Sequence, residues 1–134
     1  MAHDAVVTDS FSEQMIAAGA ELLERLDRAG LQVRVALWLY FPDAERWRLL
    51  VATPYVRLDG PRKVYKKIQS LLGKTPEGAP TMDLDSIMVV DIDAPIIQLL
   101  RSSIRTGDGI HGVRFTRNVI NGTLVEDAYL YRIT

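Results

Sequence analysis

The chain contains no cysteine. That absence excludes disulfides, thiolate metal sites, iron–sulfur clusters and thiol nucleophiles. Histidine is nearly absent too, with only His3 and His111 in 134 residues, so no multi-histidine metal site is expected. An excess of charge of either sign is also missing. Sixteen basic side chains stand against 17 acidic ones, for a formal net charge of −1. A generally basic nucleic-acid coat and an acidic tail protein are both excluded, although a local patch is not. No apolar stretch approaches the length of a membrane span, and Val35–Phe41 is among the longest without a charge. Residues 1–4 do not begin a basic segment followed by a long apolar one, so the expectation is a cytoplasmic protein with no membrane partner. Internal repeats and low-complexity segments are absent as well.

What is present has the balance of a folded domain. The chain is 48% hydrophobic and 25% charged, enough apolar surface for a core without staples. Residues 1–9 read as a flexible polar lead and residues 10–134 as one domain. Ser10 and Glu13 have capping-box spacing. They precede an apolar stripe of Phe11, Met15, Ala18, Leu22 and Leu26 at helical period. Glu21–Arg25 and Glu24–Arg28 pair four apart, and Gly30 stops the helix.

The period then changes to two. Val33, Val35, Leu37, Leu39 and Phe41 alternate with a face that begins polar and ends in Trp38 and Tyr40. After the turn at Pro42 a second strand spans 46–53, which predicts a hairpin. Residues 55–59 read as a short extension. Gly60-Pro61 opens a second helix carrying Val64, Ile68, Leu71 and Leu72 inward, and Gly73 ends it. Residues 74–84, with Pro76, Gly78 and Pro80, form a loop. Residues 86–92 are almost wholly apolar and predict a central strand covered on both faces. Asp93 is placed to cap a third helix beginning at Ala94 and Pro95. Asn121-Gly122 then joins strands 111–120 and 123–133 as a two-residue hairpin, setting Arg117 opposite Glu126 and Val119 opposite Leu124. The expected fold is α+β, a single mixed sheet of about five strands with three helices in the order α-ββ-α-β-α-ββ.

Charge alternates along the chain. Residues 31–74 hold nine basic and three acidic side chains, whereas residues 75–100 hold five acidic and none basic. Arg62, Lys63, Lys66 and Lys67, with Arg57 and Lys74, could contact phosphates of nucleic acid. A solvated helix face is the competing reading. Asp91 and Asp93 alternate at the end of a strand and could share one Mg²⁺ in phosphoryl transfer; helix capping by Asp93 competes with that. Asp83 and Asp85 form a second acidic pair. The glycine-rich loop of residues 105–112, with Asp108 and His111, follows a helix end rather than preceding a helix start, so it is no phosphate loop. Ser102 and Ser103 lack a nearby base, and no Gly-x-Ser-x-Gly element occurs. Trp38, Tyr40 and Trp47 cluster at the first hairpin as an aromatic interaction surface, with core packing as the alternative.

With no catalytic motif and with amphipathic edge strands, the leading expectation is a non-catalytic interaction or scaffold module that associates with itself or another protein and needs no cofactor. A nucleic-acid-associated protein using the helix of residues 61–74 is the first alternative. A Mg²⁺-dependent enzyme using Asp91 and Asp93 is the second.

Overall fold

The computed structural model describes residues 11–134. The expected lead of residues 1–9 and the expected cap at Ser10 lie outside the described residues. Helix α1 spans Glu13–Arg28, and its N-cap is Ser12, whose Oγ accepts the Met15 N–H at 3.2 Å. Phe11 therefore precedes the helix instead of belonging to its stripe. Ala18, Leu22 and Leu26 are buried as the spacing requires, and Gly19 and Leu23 join them. The Glu21–Arg25 and Glu24–Arg28 pairs form at 3.2 and 3.5 Å. Gly30 has φ of +78°, and the Leu31 N–H returns to Leu26 O at 3.1 Å. This left-handed cap takes up the last-turn carbonyls.

Strands β1 (Val35–Phe41) and β2 (Arg46–Ala52) form the expected antiparallel hairpin, with Tyr40 opposite Trp47. Residues 55–59 are not extended. They form a short helix α2 (Tyr55–Asp59), because the buried Thr53 Oγ1 accepts the Tyr55 N–H and holds the chain in a turn. The same hydroxyl donates to Leu31 O at 2.5 Å, tying the end of β2 to the exit of α1. Helix α3 (Pro61–Gly73) starts with Pro61 at its first position. A 3₁₀ turn, Leu84–Ser86, leads into β3 (Ile87–Val90). Helix α4 (Pro95–Ser103) is preceded by Ala94 as its N-cap, not by a capping Asp93. Strands β4 (Val113–Ile120) and β5 (Thr123–Ile133) close the chain. Asn121 and Gly122 both take positive φ, and Val119 pairs with Leu124 as expected. Arg117 reaches Glu126 at 3.2 Å.

The strands make one five-stranded mixed sheet in the order β3-β2-β1-β5-β4. The fold is α+β, with helices flanking the sheet. The expected central strand is instead an edge. β3 joins β2 in parallel through the α2–α3 crossover, and the centre is β1, flanked by β2 and β5. β3 is apolar because it is covered from both sides. Ile87 and Val89 pack under α1 and α3, while Met88 and Val90 pack towards α4. The same alternation divides β1. Ala36, Trp38 and Tyr40 face the α1–α3 layer, and Val35, Leu37 and Leu39 face α4.

One irregularity arranges the core beneath α1. β5 pairs Arg132 with Ala36 but Leu130 with Leu37, leaving Tyr131 as an extra residue. This bulge puts two successive side chains on the α1 side. Tyr131 Oη donates to Ile16 O at 2.6 Å and accepts from Trp38 Nε1 at 3.1 Å. Arg132, 7% exposed, forks onto Asp27 at 2.9 and 2.8 Å and also donates to the carbonyls of Val33 and Gly109. Burial pushes the Tyr131 hydroxyl well above its ordinary value, the chief cause being lost solvation of the phenolate. A folded-state value above the unfolded one stabilises the protein fully below about pH 10, and that contribution is lost as pH rises further. Stability in urea is therefore expected to fall above about pH 10. The fall should be shallower in Tyr131→Phe. An equal pH slope in the two proteins would disprove the assignment. Tyr40 is raised as well, by burial and then by Glu45 and Glu126, so part of the fall should persist in the variant.

Candidate functional site

The basic residues gathered by sequence separate into three groups in space. The first is Arg57 on α2. Its guanidinium bridges Asp91, at 2.8 Å, and Asp93, with which it makes a very short contact. Asp91 Oδ1 also accepts the Ile92 N–H at 2.9 Å, and Asp93 Oδ1 accepts Gln98 Nε2 at 3.4 Å. Asp93 first, and Asp91 second, hold the Arg57 guanidinium above its ordinary value. The two carboxylates are indeed together at the end of β3, but the cation between them is supplied by the chain. Arg57 is likewise committed to them and stands apart from the α3 lysines.

The second group is Arg62 and Lys66. A helix turns about 100° per residue, which sets these two on the outer face of α3, away from buried Val64 and Ile68. The third group is Lys63, Lys67 and Lys74, which share the flank of α3 facing the end of α1. Tyr65 lies on the opposite flank, where its Oη accepts the Val89 N–H at 2.9 Å.

The lysine flank closes a groove against α1. One cleft of about 320 Å³ is lined by Ala29, Gly30, Leu31, Tyr55, Asp59, Lys63, Val64 and Lys67. A second, of about 380 Å³, is lined by Arg25, Arg28, Ala29, Lys67, Leu71 and Lys74. The clefts share Ala29 and Lys67 and so run into each other. Arg25 and Arg28 were readable in sequence only as partners of Glu21 and Glu24. Arg25 also donates to Leu71 O at 3.3 Å, which fixes α1 against α3. Lys63, Lys67 and Lys74 have no ion-pair partner among the described residues.

The aromatic surface expected at the first hairpin is not a surface. Trp38, Tyr40 and Trp47 are 1%, 6% and 5% exposed. Phe11 stacks on Trp47 with ring centroids 4.3 Å apart and meets Trp38 edge-on at 5.9 Å. The rings are covered because α1 and Phe11 lie across this half of the sheet, a long-range packing that a hairpin pattern does not contain.

Apart from Leu58 on α2, the large apolar side chains that are exposed among the described residues occur at the other end of the sheet. Val119 and Leu124, cross-strand neighbours at the tip of the β4–β5 hairpin, are 67% and 51% exposed, and Val113 is 40% exposed. β4 is an outermost strand. The opposite edge is blunted, since Tyr65 takes the Val89 N–H and Arg48 Nη2 donates to Ile87 O at 3.4 Å.

The glycine loop of residues 105–112 is stitched to β5. Thr106 and His111 donate their N–H groups to Ile133 O and Tyr131 O, each at 2.8 Å. His111 Nε2 lies 3.3 Å from Gly107 O. Ser102 Oγ donates to Leu99 O at 2.6 Å and meets Asn121 Nδ2 at 2.8 Å. Among the described residues, no group of three or more His, Asp or Glu side chains is disposed to hold a metal ion. Nor is any helix among them long and apolar enough to cross a membrane. No protein-family model matches this sequence, and comparison with curated proteins and with solved structures gives no significant match, so the geometry above is the whole basis for a functional reading.

Proposed function

We propose that the chain is a non-catalytic interaction module that associates with a second copy of itself through the outer edge of β4. The observation that carries this reading is the contrast between the two sheet edges. β3 is four residues long and has outward backbone groups taken by Tyr65 and Arg48. β4 is eight residues long and borders exposed Val113, Val119 and Leu124. An open strand edge beside apolar side chains is a template for strand addition.

Charge on β4 does not oppose a copy. Arg114 and Arg117 are its two cations, and each has a carboxylate on β5, Asp127 at 2.7 Å and Glu126 at 3.2 Å. Antiparallel pairing of β4 with β4 about a twofold axis uses the same patch on both partners and closes the assembly at two. It would also cover the apolar tip residues. The setting proposed for the module is the cytoplasm, where a core without disulfides suffices.

The test replaces Val119 and Leu124 together by Lys. Multi-angle light scattering over a concentration series should show a dimer for the parent and a monomer for Val119→Lys/Leu124→Lys, with the melting temperature nearly unchanged. A parent that stays monomeric at every concentration, or a variant dimer as tight as the parent, would overturn the reading. Arg57 occupies the position between Asp91 and Asp93, which leaves the Mg²⁺ alternative with less support than the edge.

A further inference from the structure

We propose that the groove between the C-terminal half of α1 and the inner flank of α3 binds the phosphate backbone of single-stranded nucleic acid, through Lys63, Lys67, Lys74 and Arg28. The groove uses no residue of β4, so it is independent of the association proposed above.

The argument begins with spacing. At 1.5 Å per residue, Lys63 and Lys67 are about 6 Å apart along α3, and Lys67 and Lys74 about 10 Å. Lys63 and Lys67 lie on one flank of the helix and Lys74, its C-cap, lines the same cleft as Lys67, so they form a row rather than a cluster. Arg28 lines the same groove from the α1 side; its contact with Glu24 is long, at 3.5 Å, and its side chain is exposed. Arg25 is tied to Glu21 and Leu71 O, which makes it part of the wall. Among the described residues, Asp59 is the one carboxylate lining either cleft. The α1 terminus, whose carbonyls would repel an anion, has those of Arg25, Asp27 and Leu26 bonded to the N–H groups of Ala29, Gly30 and Leu31.

A row of cations in a concavity selects a linear polyanion over a compact one. Two features favour a single nucleic-acid strand. The row is set along the seam between α1 and α3 and is lined from both helices. Tyr55 lines its first cleft beside Lys63, supplying an aromatic ring on which a base can stack.

The test uses a short fluorescein-labelled oligothymidylate and fluorescence anisotropy at several salt concentrations. Four phosphate contacts predict a slope of log affinity against log salt near about −3, and each lost contact should lower it by roughly 0.7. Two charge-matched variants locate the contacts. Lys63→Gln/Lys67→Gln should weaken binding about tenfold or more, while Arg62→Gln/Lys66→Gln, on the outer face of the same helix, should change it less than about twofold. Tyr55→Leu should weaken binding without changing the salt slope. Absence of binding by the parent, equal losses in the two charge-matched variants, preference for a duplex of the same length, or equal displacement by polyglutamate would each overturn the proposal. Melting curves of every variant show whether a loss reflects unfolding, and Lys63→Arg/Lys67→Arg, which keeps both charges, should bind as the parent does; a loss there as large as in the Gln variant would also overturn the proposal.

Discussion

Gly19→Ala is expected to lower folding stability by about 3 kcal/mol, the upper range for overpacking a filled site. The sign is opposite to helix propensity, which favours Ala over Gly by about 1 kcal/mol inside a helix. The reason is the side of α1 on which Gly19 lies. A Cβ there would collide with Tyr131 Oη and come within 2.8 Å of both Trp38 Nε1 and Tyr131 Cε2. Those atoms cannot retreat cheaply, because Trp38 Nε1 is shared between Met15 O, at 3.2 Å, and Tyr131 Oη, and Tyr131 Oη is itself bonded to Ile16 O. Either α1 lifts from the sheet or this set of bonds breaks. A double-mutant cycle with Tyr131→Phe checks the account. Removing the hydroxyl takes away the worst collision, so Gly19→Ala should cost clearly less in the Tyr131→Phe background. Equal costs in both backgrounds, or a stabilised Gly19→Ala single variant, would show that α1 is not seated on Tyr131.

The second large effect is expected at Arg114. Asp127 is 2% exposed and receives both Arg114 Nε and Nη2 at 2.7 Å. The Arg114 guanidinium also lies 5.3 Å from the Phe11 ring centroid and 5.4 Å from that of Trp47. Arg114→Met leaves a buried carboxylate without its fork, a change that costs roughly 3–5 kcal/mol for fully buried pairs. Arg114 is itself partly exposed, so about 3 kcal/mol is the expected loss in urea unfolding at neutral pH. Arg114→Met/Asp127→Leu, which removes both charges, should recover more than half of it. Arg114→Lys should fall between, since an ammonium cannot supply two parallel bonds. If Arg114→Met were within about 0.5 kcal/mol of the parent, as surface substitutions usually are, the ion pair would be a surface ornament.

Local chemistry explains which parts of the fold could be read from sequence. Asn121-Gly122 sets the last hairpin because both positions accept positive φ, and the Arg117–Glu126 and Val119–Leu124 pairs follow from that turn alone. Pro61 and Gly30 punctuate their helices for equally local reasons. The errors lie where distant segments decide. The apolar run of β3 reports cover on two faces, and cover does not distinguish a centre from an edge once helices flank both sides. Tyr131 is an ordinary strand residue until β1 imposes the bulge. The candidate site shows the same limit. Lysines of α3 were legible as a cluster, but their division into an inner and an outer row depends on which face α1 covers. Arg57 joined them by charge and left them because Asp91 and Asp93, more than thirty positions away, take its guanidinium. The exposed tip of β4–β5 gave no signal beyond two apolar residues in a hairpin, which a buried hairpin would show equally.

The strand order also carries a consequence for the time course of synthesis. The central strand β1 gains β2 almost as soon as both have left the ribosome, since only a four-residue turn separates Phe41 from Arg46. Its other neighbour, β5, does not begin until Thr123. At about 5–20 residues per second, the growing chain waits several seconds or more for that partner. Throughout that interval the middle of the future sheet is an outer border, carrying Val35, Leu37 and Leu39 with nothing hydrogen-bonded alongside. Nascent chains on neighbouring ribosomes of one messenger would present the same border to each other. A stop codon or stall before residue 123 would make that condition permanent. The least tolerable truncations are therefore those that remove β5, the other half of the sheet's centre.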